Sequence, residues 1–292
     1  MASLKEVKVR ITSVMSTQQI TKAMKMVAAA KLRKSQERIV QMRPYAKKLA
    51  SILSNLSSAY DESGQNWYSV AREEKKILIV AISADRGLSG SFNSNIFKAT
   101  TRLIQESYSS QLAKGGVTIL PIGKKALEYF GKRNIPMVGD YWDIFRSLTF
   151  SNVAVIGNYL MDAFQKGQFD KIVVVYNEFK NIATQILQTE QFLPVLSSHD
   201  KKGPGIDYIF EPSLEEIMIG LIPKSLNTML FKALLDSNAA FNGAQMTAMD
   251  KATENAGELI KELKLTYNRT RQAAITKEIL EIVAGAEALK SA

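Results

Sequence analysis

The 292-residue sequence contains no cysteine and only one histidine. Without cysteine the chain has no disulfides, no thiol nucleophile and no thiolate metal site. His199 lies in a polar stretch beside Asp200, Lys201 and Lys202. One histidine without cysteine does not supply a typical zinc site or a Ser-His-Asp triad. We therefore expect no catalytic, cofactor-binding or metal-binding residues, and His199 is interpreted as a solvated loop residue.

Long apolar runs are also missing from the sequence. The most apolar short run covers residues 77–82, far below the ~20 residues that a membrane-spanning helix needs. The first residues, MASLKEVKVRI, have no apolar signal core. We expect neither a membrane span nor a cleaved export signal.

Glycine and proline are scarce at both ends of the chain. Residues 1–63 contain one proline and no glycine, and residues 224–292 contain no proline and three glycines. This distribution predicts two long helices that flank an interrupted middle. At 1.5 Å per residue, residues 3–58 would span roughly 84 Å and residues 224–290 roughly 100 Å, which is the length of a rod.

Positive charge is concentrated in the first helix. Residues 1–58 contain twelve lysines and arginines against two acids, whereas the remaining 234 residues carry 26 groups of each sign. The whole net charge of +10 therefore lies in the first fifth of the chain. A partner of this segment should present acidic groups, as nucleic acid or an acidic protein surface would.

Both end segments have the spacing of coiled-coil helices. A 3-4-3 seam at residues 4, 7, 11 and 14 is followed, after a skip, by a second seam at residues 39, 42, 46, 49, 53 and 56. The C-terminal segment steps 3-4-3-4 without a break over nine positions from Met246 to Ala274. The two segments do not repeat each other, so we expect two unlike helices to pair within one chain.

The middle of the chain alternates between strand and helix patterns, which predicts an α/β sheet with crossover connections. The last long strand is expected to be antiparallel. The predicted strands are 77–83, 117–122, 171–178, 184–195 and 207–210, and the predicted helices are 94–111, 124–132 and 151–164.

A glycine-containing turn at residues 85–91, DRGLSGS, follows the first predicted strand. Phosphates bind at such positions in α/β sheets. The turn matches neither G-x-G-x-x-G nor G-x-x-x-x-G-K-[ST], and it misses the G-x-S-x-G nucleophile elbow because residue 91 is serine. A tight strand-to-helix turn is the favoured interpretation.

Three segments resemble one family, the gamma subunits of bacterial F-type ATP synthases. They are residues 11–34 (ITSVMSTQQITKAMKMVAAAKLRK), residues 83–93 (SADRGLSGSFN) and residues 246–289, the long C-terminal signature. The resemblance implies an antiparallel two-helix coiled coil of the N- and C-terminal helices with a central Rossmann-like α/β domain. The implied domains are 1–60, 61–211 and 212–292.

The resemblance also implies a function. It implies a non-catalytic rotor in the central stalk, which couples transmembrane proton flow to ATP synthesis by turning inside the alpha/beta ring. The implied partners are the alpha, beta and epsilon subunits and the c-ring, without nucleic acid or a cofactor. The implied location is peripheral, at the cytoplasmic face of the bacterial inner membrane. The alternative suggested by charge alone is a basic helical nucleic-acid-binding protein.

Contact residues follow from the resemblance position by position. The implied beta-subunit contacts are Lys22, Met24, Lys25, Gln272 and Thr276. The implied c-ring contacts are Tyr208 and Glu211. An apolar stripe continues past the point where the shorter N-terminal helix should end, so another protein must cover it. The resemblance places this tip, which includes Ile275, Ile279, Ile282 and Leu289, in an apolar sleeve at the top of the ring.

Overall fold

A computed structural model describes residues 3–60, 68–70, 72–195 and 214–290. Its helices are α1 Leu4–Tyr60, α2 Phe92–Ser107, α3 Ser109–Ala113, α4 Lys124–Gly131, α5 Phe150–Gln165 and α6 Leu214–Lys290, and its strands are β1 Ile77–Ile82, β2 Val117–Ile122, β3 Lys171–Phe179 and β4 Gln185–Leu193. A short 3-10 helix covers Ile144–Ser147.

The chain divides into two compact units. The first unit contains residues 1–28 and 246–292, and the second contains residues 29–245. Both long helices, α1 and α6, contribute to both units. The implied domain boundaries at 60/61 and 211/212 stay a prediction.

The start of α1 is fixed by a capping box. The backbone N–H of Glu6 donates to Ser3 Oγ at 3.3 Å, and the N–H of Ser3 donates to Glu6 Oε2 at 3.0 Å. Two backbone donors that have no partner within the helix are satisfied in this way. The helix therefore begins where the Ser-x-x-Glu pattern predicts.

In the first unit, α1 and α6 run antiparallel. Gln18 Nε2 donates to the carbonyl oxygen of Thr253 at 3.3 Å, and Lys25 pairs with Asp250. The partner number falls as the α1 number rises, which is the order of an antiparallel pair. The same order holds inside the second unit, where Asn242 Nδ2 donates to Ser35 Oγ at 3.2 Å and Arg43 pairs with Asp236 at 3.0 Å.

The second unit is built on a four-stranded sheet with the order β2-β1-β3-β4. Strands β2, β1 and β3 are parallel, and β4 is antiparallel to β3. Every residue of β1 is buried. Because successive side chains of a strand point to opposite faces, both faces of the sheet are covered at this strand.

One face of the sheet packs against α2 and α4. Ile96 and Ile104 of α2 and Phe130 of α4 join the alternate β1 residues Ile77 and Ile79 in one buried cluster. On α5, the cap residue Thr149 accepts a hydrogen bond from the N–H of Asn152 at 3.3 Å, which satisfies a free donor of the first turn.

The predicted fold class, an antiparallel coiled coil of both ends with a central α/β domain, is confirmed. All predicted strands within the described residues are present, and β4 is antiparallel as expected. The predicted strand 207–210 lies outside the described residues. These agreements follow from the periodicity of the apolar residues, which differs between strands and helices.

Helix α6 begins at Leu214, close to the implied start of the C-terminal helix at residue 212, and continues through Pro223. Two details differ from the sequence prediction. The single helix expected at 94–111 is broken at the buried Tyr108, which separates α2 from α3. Contrary to expectation, the described residues include one helix, Glu216–Glu287, that is long and apolar enough to cross a membrane, and 44% of its most apolar stretch is buried inside the protein.

Candidate functional site

A polar stretch interrupts the coiled-coil interface of the first unit. Thr21 is buried, and its Oγ1 accepts a hydrogen bond from Thr253 Oγ1 at 2.8 Å. Gln18 and Lys25, three residues before and four after it, also bond to α6. These three residues fill the positions at which the first apolar seam stopped. The same spacing continues through the buried residues Ala28, Leu32 and Ser35 to residue 39, so the seam of α1 is continuous and polar contacts interrupt its apolar character.

Two of the predicted beta-subunit contacts on α1 keep surface that another protein can reach. Lys22 is exposed and Met24 is half-buried. The third, Lys25, forms an ion pair with Asp250 of its own chain, and both side chains are partly exposed. Lys25 therefore has a role inside the coil that the sequence did not reveal, because a lysine near exposed lysines is interpreted as surface.

We expect Lys25→Glu to destabilise the first unit by about 1 kcal/mol, because it places a second carboxylate beside Asp250. The swap Lys25→Glu with Asp250→Lys should recover most of the loss. Urea unfolding followed by circular dichroism measures both effects. Lys22→Glu, one helical turn away and exposed, is the matched control and should leave the unfolding midpoint unchanged. Equal losses for Lys22→Glu and Lys25→Glu would contradict the pairing.

The last part of α6 is exposed throughout. All described side chains from residue 271 to residue 289 are exposed, including the predicted contacts Gln272 and Thr276. The predicted tip residues Ile275, Ile279, Ile282 and Leu289 are 44, 54, 68 and 83% exposed. Ala274, the last predicted seam position, is exposed as well, so the seam ends at the half-buried Thr270.

The predicted c-ring contacts Tyr208 and Glu211, and also His199, lie outside the described residues. Their placement as contacts stays a prediction. Among the described residues, no group of three or more histidine, aspartate or glutamate side chains could hold a metal ion.

The turn at residues 85–91 is held by its neighbours. Asn93 Oδ1 accepts the backbone N–H of Ala84 at 3.0 Å, and Asn93 Nδ2 donates to the carbonyl oxygen of Arg86 at 3.2 Å. Leu88 and Gly90 adopt positive φ angles of 63° and 59°. The left-handed conformation suits Gly90 and is uncommon for leucine. The turn is therefore tightly shaped, as the sequence predicted.

A buried carboxylate lies where α1 and α6 meet the sheet in the second unit. Asp236 is fully buried, and its Oδ1 accepts from Arg43 at 3.0 Å while its Oδ2 has no partner among the described residues. Burial raises the pKa of Asp236, and the hydrogen bond and charge of Arg43 oppose that rise. Arg43 also donates to the carbonyl oxygen of Phe179, so it ties α1 to the end of β3.

A carboxylate whose pKa is higher in the folded than in the unfolded state favours folding at low pH, and this contribution is lost as pH rises through the folded pKa. We therefore expect Asp236→Asn to become more stable relative to the parent chain as pH increases from about 4, near the unfolded pKa. Urea unfolding at several pH values tests this. Asp143→Asn, a carboxylate outside this buried pair, is the control. A variant that instead becomes less stable relative to the parent chain as pH rises would contradict the raised pKa.

Known proteins match this chain along its whole length. A family model described as ATP synthase matches residues 3–289. The ATP synthase gamma chain of Cytophaga hutchinsonii is 54% identical over 295 residues and covers 100% of both chains. That of Flavobacterium psychrophilum is 53% identical and covers 99% of this chain and 100% of its own length.

Solved structures with the same fold come from mitochondrial ATP synthases. A chain in the central stalk and c-ring of Tetrahymena thermophila is 25% identical, with a TM-score of 0.60, and the match covers 80% of this chain and 99% of that one. A chain from Euglena gracilis is 21% identical, with a TM-score of 0.69 over 98% and 94% of the two chains, and it shows the fold. Because the family model and both relatives match essentially the whole length, the chain belongs to the ATP synthase gamma-chain family.

Proposed function

We propose that this chain is the rotor in the central stalk of an F-type ATP synthase and that it couples proton flow to ATP synthesis by turning inside the alpha/beta ring. The observation that carries the proposal is the single-helix end of α6, which presents Ile275, Ile279 and Ile282 to solvent beyond the last coil contact. Apolar side chains at this density need a covering partner. The whole-length similarity to gamma chains supports a ring of alpha and beta subunits as that partner.

The partners at the other end follow from the same similarity. The Tetrahymena thermophila neighbour belongs to a structure of the central stalk and c-ring, which supports contact of this chain with a c-ring and with an epsilon subunit. The membrane association is then peripheral, through the partner subunits at the cytoplasmic face of the bacterial inner membrane. The nucleic-acid-binding alternative has no support from the relatives named above.

We propose that the chain is not itself catalytic. The turn at residues 85–91 contains no lysine, and no metal-binding cluster accompanies it among the described residues. Catalysis of ATP synthesis requires a metal ion and phosphate ligands, and other subunits of the complex would supply them. The mechanical role instead needs a stiff coil, and the hydrogen bonds of Gln18 and Thr21 with Thr253 serve this by fixing the register of the two helices.

The basic surface of α1 is expected to act on coupling and not on folding. In the assembled enzyme, Lys22→Glu should reduce ATP-driven proton pumping roughly twofold or more, because it reverses a charge that faces an acidic partner surface. The melting temperature of the isolated chain should not change, since Lys22 is exposed. Lys98→Glu, an exposed lysine of α2, is the control for charge reversal elsewhere. If both variants pump equally well, the basic helix has no role in coupling.

A further inference from the structure

The second unit contains a pocket with a volume of about 390 Å³. It opens between α1, the turn after β1, the 3-10 helix and α6. Its lining includes five cationic side chains and one acid, which gives it a net charge of +4. The charged lining residues are Lys31, Lys34, Arg38, Arg86, Arg146 and Asp85.

Four of these cations are free of acidic partners. Within the described part of the chain, Lys31, Lys34, Arg38 and Arg86 form no ion pair. The acid that lines the pocket, Asp85, accepts the backbone N–H of Lys124 at 3.1 Å. Like charges gathered in a concave site raise the local potential and attract anions. Such crowding costs stability unless an anion offsets it.

A buried hydroxyl lies in the same lining. Ser237 of α6 is 1% exposed, and its Oγ has no hydrogen-bond partner among the described residues. Buried polar groups are normally hydrogen-bonded, so a buried donor without a partner needs an explanation. Because this oxygen has almost no accessible surface in the ligand-free chain, the Ser237 side chain would turn towards the pocket to donate to a ligand oxygen.

The wall of the pocket is fixed before any ligand enters. Ser83 Oγ accepts the N–H of Ala126 at 2.8 Å, and Asn93 holds the backbone of Ala84 and Arg86. On α6, Asn242 Nδ2 donates to Ser35 Oγ of α1 at 3.2 Å. These bonds fix the backbone from which the cationic side chains extend, so the wall needs no rearrangement to admit a ligand.

We propose that this pocket binds the phosphate group of a small molecule. Because Arg146 is paired with Asp143 at 3.6 Å, the four unpaired cations and Asp85 leave a charge of +3 for a ligand. This charge matches a multiply charged anion, and a single carboxylate would leave most of it uncompensated. Arginines supply paired N–H donors to tetrahedral oxyanions, and lysines supply point charges. Phe145 and Phe241 line the apolar part of the pocket, so an organic phosphate has room beyond its phosphate group. The turn at residues 85–91 has no lysine of its own, and α1 supplies Lys31 and Lys34 to it.

The proposal is tested by titrating the full-length chain with inorganic phosphate, pyrophosphate and metal-free ATP in a calorimeter. We expect saturable binding of at least one of the three. Tighter binding of inorganic phosphate or pyrophosphate than of ATP identifies an inorganic ligand, and tighter binding of ATP identifies an organic phosphate. The double variant Lys34→Gln with Arg86→Gln should weaken binding at least tenfold. Lys98→Gln with Arg102→Gln, which removes the same charges from α2, should not.

A third variant distinguishes binding at a specific site from attraction by a diffuse positive potential. Ser237→Ala removes one buried oxygen without altering charge, and it should weaken phosphate binding several-fold while the melting temperature of the ligand-free chain stays the same or rises. The proposal is overturned if none of the three phosphates binds saturably. It is also overturned if the Lys34 and Arg86 double variant binds as tightly as its α2 control.

Discussion

A chain that lacks residues 280–292 is expected to assemble with alpha and beta subunits at least tenfold less tightly than the full-length chain. The deletion removes Ile282 and Leu289, which are exposed in the isolated chain and would be buried in the assembly. Full burial of one such side chain is worth about 1.5–3 kcal/mol, so the loss of two exceeds a factor of ten in affinity. Pull-down yield and the torque of the assembled motor measure the effect. Rotation itself should survive, because the coil below the tip is unchanged.

Point substitutions distinguish the loss of apolar contacts from the shortening of the helix as the cause of an assembly defect. Ile279→Ser with Ile282→Ser should reproduce much of the assembly defect, and Lys277→Ser with Glu281→Ser, an exposed ion pair on the same turns, should not. Neither pair should change the melting of the coil, because these residues have no coil partner. An unchanged assembly yield for both the deletion and the isoleucine variant would show that the tip does not contribute to assembly.

Gly123→Ala is expected to destabilise the second unit by about 3 kcal/mol or more. Gly123 follows β2 with φ 89° and ψ 139°, a conformation that residues with a side chain avoid. An added Cβ would also overlap the carbonyl oxygen of Ser83 and lie 2.8 Å from Ser83 Oγ. Both atoms belong to the fixed end of β1, so neither can move away cheaply. Chemical denaturation measures the loss.

Gly90→Ala is the matched control for backbone strain. Gly90 has φ 59°, but an added Cβ would meet nothing within 4 Å. Its cost should be about 1 kcal/mol, from the left-handed backbone alone. The difference between the two variants reports the contact with Ser83 together with the less favourable backbone conformation of Gly123. Equal losses would mean that the contact with Ser83 relaxes freely.

The elements were predictable from sequence because each is marked by a local pattern. The β1 run of six apolar residues and the 3-4 spacing of α6 do not depend on distant residues. The break at Tyr108 was not predictable in this way. It occurs where a large side chain is buried, and burial depends on tertiary packing.

The polar contacts of the coil could not be predicted from one helix alone. Thr21 and Lys25 are polar residues of types that usually lie on a protein surface. They are interface residues here because Thr253 and Asp250 lie opposite them on α6. The cationic pocket is a stronger case, since its charges come from segments more than 100 residues apart in the chain. Sequence periodicity predicts which face of a helix a residue lies on. The residues that pack against that face depend on the fold.

The central claim is that this chain turns. It is tested by introducing Lys98→Cys, which creates a single thiol in a chain that has none, and attaching a visible probe to it. The chain is then assembled with immobilised alpha and beta subunits and observed during ATP hydrolysis. We expect the probe to rotate continuously in one direction while ATP is present and to stop when ATP is removed. A probe that stays fixed while the assembly hydrolyses ATP at full rate would contradict it.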